Sequence, residues 1–110
     1  MKIKNNNVLD LEAAQGERLT LSFDDPGSIA VISYTSPGGQ GQLMPGTTHS
    51  FTVPAAPPNM PVVVSVMCTF KGAGTCEVRL TDGSGRLAAY TFSSAFGMGA
   101  NAVVYAIDVR

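Results

Sequence analysis

The sequence predicts an all-β fold, an antiparallel β-sandwich or jelly roll of about eight short strands forming a single domain over residues 1–110. Three observations carry this expectation. Apolar residues recur at every second position in one run after another, Gly, Pro and Asp break the runs at regular spacing, and no longer window keeps the i, i+3, i+4, i+7 pattern of an amphipathic helix. With 110 residues the chain has room for one core, since a second would be too small to stand alone.

Taken in order, a weak strand is expected over residues 8–12. Residues 17–23 follow as a half-buried strand, Leu19, Leu21 and Phe23 alternating with Arg18, Thr20 and Ser22. Asp24-Asp25-Pro26-Gly27 ends it, because proline presets φ and glycine tolerates positive φ. Residues 29–35 are apolar on both sides and so read as an interior strand. The Gly- and Gln-rich stretch 36–48 is read as irregular, residues 50–53 as a second weak strand, and 54–61, with four prolines, as extended or turned. Residues 62–70 give the clearest strand, with Val62, Val64, Val66, Cys68 and Phe70 on one face and Val63, Ser65, Met67 and Thr69 on the other. Residues 75–81 return after a turn at 71–74, and Asp82-Gly83-Ser84-Gly85 has the composition of a hairpin loop leading into a strand at 87–92. The last strand, 101–109, turns Val103, Tyr105, Ile107 and Val109 to one side.

The two cysteines fall in this pattern. Centring a hairpin on Gly72 sets Cys68 opposite Cys76, Val66 opposite Val78 and Val64 opposite Leu80. A directly opposed, non-hydrogen-bonded pair brings its α-carbons to roughly 4.5 Å, near the short end of disulfide geometry. Two readings stand side by side: a structural disulfide, or two reduced thiols packed as small hydrophobes. A metal or redox role would need a second Cys-x-x-Cys or a histidine cluster, and neither is present.

Composition excludes several classes of function. Seven basic and eight acidic residues leave a net charge of −1, so nothing marks a surface for phosphate backbones or anionic lipids, and nucleic acid is not an expected partner. No apolar run is long enough to span a membrane. The first residues lack the apolar core of a signal peptide, Asp10 and Glu12 following closely, so both an intracellular and an exported protein stay open. Calcium-loop, phosphate-loop and zinc spacings are absent, and no metal or cofactor is expected. His49 is the single histidine; a nucleophile triad would have to join it to a Ser or Cys that no motif marks. An enzyme is therefore not expected.

What remains is a non-catalytic module. Charged residues are only 14% of the chain, and apolar side chains sit in segments that a lone monomer keeps polar: Leu43, Met44, Met60, Phe96 and Met98. These suggest a surface covered by a second copy of the chain, as in a homo-oligomer, or by another protein. The alternative is a carbohydrate or small-ligand receptor in which Tyr34, Gln40, Gln42 and His49 offer planar and hydrogen-bonding groups near one loop.

Overall fold

A computed structural model describes residues 8–24, 29–44, 46–57, 60–85, 87–94 and 100–109. These residues form strands and connecting loops, with nine strands among them: β1 (Val8–Ala13), β2 (Arg18–Phe23), β3 (Ile29–Ser36), β4 (Gly39–Leu43), β5 (His49–Thr52), β6 (Val62–Phe70), β7 (Gly74–Thr81), β8 (Leu87–Ser94) and β9 (Ala100–Val109). They build a five-stranded sheet in the order β1-β9-β6-β3-β4 and a four-stranded sheet in the order β5-β2-β7-β8. All-β sandwich architecture follows, with nine strands where eight were expected.

The extra strand is β4, placed in the segment read as irregular. Gly-Gln-Gly-Gln has little intrinsic strand preference. Its pairing depends instead on what β3 brings to it: Tyr34 stands opposite Gly41, and Ile32 opposite Leu43. A β-carbon on Gly41 would lie 3.1 Å from the Tyr34 hydroxyl, so glycine leaves the space in which that ring lies. Leu43 is core, at 5% exposure, which corrects its assignment to a contact surface.

A second departure concerns β6 and β7. They do not form a hairpin: β6 lies between β3 and β9, and β7 lies between β2 and β8 in the other sheet. Residues 71–73 are the whole link, and four residue steps can reach roughly 13 Å. That is enough to cross the roughly 10 Å between stacked sheets. Cys68 therefore pairs with Ile32 and Asn101, and Cys76 with Phe92. Alternation makes the same side chains face inward whether two strands share a sheet or oppose each other, so it could not separate the two arrangements. The third departure is at the sheet edge, where β1 runs parallel to β9, from Val8 opposite Val104 to Ala13 opposite Val109. Nearly the whole chain serves as the long crossover that a parallel pair requires.

The hairpin at 82–85 is as expected. Gly85 takes φ of 84° and donates its N–H to the Asp82 carbonyl, while Asp82 Oδ1 accepts from Ser84 N and Oγ.

The core is the seam between the sheets. Val64, Val66, Val103 and Ile107 from one sheet meet Leu19, Leu21, Val78, Leu80 and Phe92 from the other, all essentially buried. Burying each such side chain contributes about 1.5–3 kcal/mol. At the centre Tyr105, wholly buried, donates its hydroxyl proton to the Val78 carbonyl at 3.2 Å, linking β9 to β7 across the seam. Burial raises the ionisation of this phenol far above its ordinary range, so it remains a donor.

Tyr105→Phe is expected to keep the fold and lose about 1 kcal/mol, the net value of one such bond. Ile107→Ala should lose about 2–5 kcal/mol by leaving a cavity. Urea unfolding of the two variants measures both.

Candidate functional site

Two open sides and two outer faces are available to a sandwich, and they differ chemically. On one open side, β3 of one sheet and the edge strand β5 of the other are joined by an aromatic stack. Tyr34 and His49 lie with ring centroids 4.2 Å apart and planes 29° apart, and His49 is followed by Phe51 at 6.0 Å. Ser36 Oγ sits 2.7 Å from His49 Nε2, accepts the Gly38 N–H at 3.1 Å and reaches the Gly39 carbonyl at 3.2 Å. The tautomer with a proton on Nε2 satisfies all three, Ser36 giving its own proton to Gly39. Gly38 is held close here, since a β-carbon on it would lie 2.9 Å from Phe51 Cβ.

This cluster joins the two sheets at their edge. Its geometry touches on nucleophile chemistry, because a serine and a histidine are in hydrogen-bond contact. Yet the serine oxygen is already engaged by Gly38 and Gly39, and no carboxylate orients His49 among the described residues. Holding β3 and β5 together accounts for every bond in the cluster.

Of the four residues grouped as a ligand site, the structure brings together Tyr34 and His49. Gln40 and Gln42 lie on the opposite face of β4, opposite Thr35 and Ser33, and are exposed. Burial lowers the proton affinity of His49, since partial desolvation disfavours the imidazolium.

The outer faces differ more sharply. On the four-stranded sheet, Arg79 makes a two-pronged contact with Asp24, 2.7 and 3.2 Å, and a 2.6 Å contact with Glu77. The guanidinium hydrogen bond holds the Asp24 carboxyl below its ordinary range. Thr20 and Ser50 hydroxyls meet at 2.9 Å on the same face. This side is polar and charged.

On the five-stranded sheet, the outward residues of β6 are Val63, Ser65, Met67 and Thr69, in register with Ala106, Val104, Ala102 and Ala100 of β9. Next to them β3 contributes Val31, Ser33 and Thr35, and β4 adds Gln42 and Gln40. None of these residues is ionisable; at the β1 side of the field Glu12 stands beside Asp108 and Asp10 beside Ala106. Val63 and Met67, in the middle strand, are 47% and 49% exposed.

Of the other residues assigned to a contact surface, Met44 and Met60 are indeed exposed, at 61% and 60%. Met44 is set in a turn closed by Thr47, whose Oγ1 donates to the Met44 carbonyl at 2.6 Å. Phe96 and Met98 lie outside the described residues. The β6 face is visible in the sequence as Val63 and Met67 alternating with the inward Val62, Val64, Val66 and Cys68.

Cys68 and Cys76 are free thiols, both buried, so of the two readings the structure shows reduced thiols packed as small hydrophobes, contributed by strands of different sheets and not by a hairpin. Their side chains come together in the core from opposite sheets, and Cys76 Sγ donates to the Asp24 carbonyl at 3.2 Å. Burial pushes the Cys68 thiol up to about 11, its contact with Cys76 partly opposing this. Among the described residues no group of three or more His, Cys, Asp or Glu could hold a metal ion, and no helix is long and apolar enough to cross a membrane.

A cleft of about 530 Å³ occupies the other open side, between the edge strands β1 and β8, with Leu19 and Leu80 at its floor and Asp10, Glu12 and Asp82 at its rim.

Two outcomes follow. Once the chain has been reduced and the reductant removed, the thiols should react with a disulfide reagent far faster after unfolding than before, because in the native state both are buried. His49 binds its proton more weakly folded than unfolded, so acidification from neutral pH through the ordinary histidine range should lower the melting temperature. His49→Gln should flatten that dependence between about pH 7.5 and 5, above the carboxylate range. No protein-family model matches the chain, and neither a curated protein nor a solved structure matches it, so the reading of its function rests on the geometry above.

Proposed function

We propose that this chain is a non-catalytic assembly module that associates with copies of itself through the outer face of the five-stranded sheet. The observation that carries the reading is the uncharged field centred on β6, with Val63 and Met67 half exposed on a sheet whose inner face is already a packed core. A face without charge imposes no desolvation cost for ions when it meets its own copy, and two such sheets can stack at roughly 10 Å as sandwich layers do. The opposite face, with Arg79, Asp24 and Glu77, would have to strip water from charges to do the same.

Strand spacing near 4.8 Å and a rise near 3.3 Å per residue give the field over β9, β6, β3 and β4 a projected area of roughly 400–500 Å². Standard stable interfaces bury about 800 Å² per partner. Weak, concentration-dependent association is the expected result. Exposed Met44 and Met60 offer further apolar area outside the sheet.

The alternative of a carbohydrate or small-ligand site has weaker support. The ring faces of Tyr34 and His49 are turned to each other, and Gln40 and Gln42 lie across the sheet from them.

Sedimentation velocity over about two decades of concentration tests the reading: the wild-type coefficient should rise, while Met67→Glu should stay monomeric because a carboxylate at the centre of the contact would be buried unpaired. A wild-type chain that is monomeric throughout, or a Met67→Glu chain that associates equally well, would remove it.

A further inference from the structure

We propose that the cleft between β1 and β8 is a docking site for an extended protein segment of alternating basic and apolar residues, added as a new strand along the outer edge of β1. This goes beyond self-association and uses a different part of the molecule.

Three observations meet there. β1 is the terminal strand of its sheet, so the backbone groups directed away from β9 lie along an edge with no further strand among the described residues. The cleft, about 530 Å³, is lined by five successive residues of β1, from Val8 to Glu12. Successive strand residues point to opposite faces, so a space touching all of them lies beyond the edge of the sheet, where an added strand would run. Its volume falls in the range of ligand-binding pockets.

The chemistry of the walls then selects the occupant. On the core side, Leu9 and Leu11 of β1 face Leu19, Leu80 and Ala88 across the cleft, an apolar slot for every second side chain of the incoming segment. On the outer side stand Asp10 and Glu12, with Asp108 beside Glu12 in register. Intervening side chains of the segment would lie next to these carboxylates, and lysine or arginine complements them. Asp82 adds a fourth carboxylate at the rim of the far wall, oriented by Ser84. Main-chain pairing would supply adhesion, and the alternation would supply selection, the division of labour of strand addition. β1 has six residues, which sets the length of the segment.

The test uses the full chain and a fluorescent, end-capped hexapeptide of alternating lysine and valine, followed by anisotropy. Saturable binding is expected that weakens with salt. Replacing lysine by glutamate in the peptide should abolish it, as should N-methylation of alternate peptide amides, which removes the ladder donors without changing charge. Asp10→Lys combined with Glu12→Lys should weaken it by about tenfold or more, because like charges then face each other. Met67→Glu should leave binding intact, which separates this site from the self-association face. Absence of saturable binding by the lysine–valine peptide, equal binding of the N-methylated or acidic peptide, or indifference to the double charge reversal in a chain whose circular dichroism is unchanged, would overturn the proposal.

Discussion

The seam between the two sheets governs everything else in this molecule. Inward side chains have no water to turn to, so each must find its neighbour in the opposite sheet, and the buried hydroxyl of Tyr105 does so by donating to the Val78 carbonyl. That bond ties β9 to β7, strands of different sheets. It is satisfiable only if β7 lies across from β9 and not beside β6. The same condition brings Cys68 and Cys76 together from opposite sides of the core, where their thiols pack as small apolar groups.

Once the seam is set, the outward residues have no freedom left. A strand that sends Val64 and Val66 inward must send Val63, Ser65 and Met67 outward, and the position of β6 at the middle of five strands puts them at the centre of a face. Charges are few in this chain, and the fold distributes them unevenly. The four-stranded sheet carries the Arg79–Asp24–Glu77 cluster on its back, while the acids of the five-stranded sheet collect at β1 and β9. One face is left neutral and one edge acidic. The proposed self-association rests on the neutral face, and the proposed strand addition on the acidic edge.

The sequence carried the inward pattern well, because alternation is a local property that the pleat imposes on each strand. Val62–Phe70 reads from its residues with the bounds it has in the structure, and the inward sets expected over 17–23, 75–81 and 101–109 are core, Val109 among them only partly buried. Partner choice is a property of the whole chain, and local pattern is silent on it. The link at 71–73 suits a tight turn or a step between sheets equally, so the Cys68–Cys76 hairpin was a natural but incorrect expectation. β4 is not legible in the sequence because its stability comes from Tyr34 lying over Gly41 and Leu43 entering the core, contacts that Gly-Gln-Gly-Gln does not announce. The sites fared similarly. Tyr34 and His49 do meet, but Ser36, which holds His49, and the β1–β8 cleft depend on distant segments approaching in space.

The neutral face, the acidic cleft and the bond of the buried tyrosine all require that β6 and β7 belong to different sheets. Cross-strand backbone nuclear Overhauser effects in an isotope-labelled sample test this directly. The account predicts contacts from Cys68 to Ile32 and Asn101 and from Cys76 to Phe92. A ladder of backbone contacts joining Cys68 to Cys76, Val66 to Val78 and Val64 to Leu80 would contradict it.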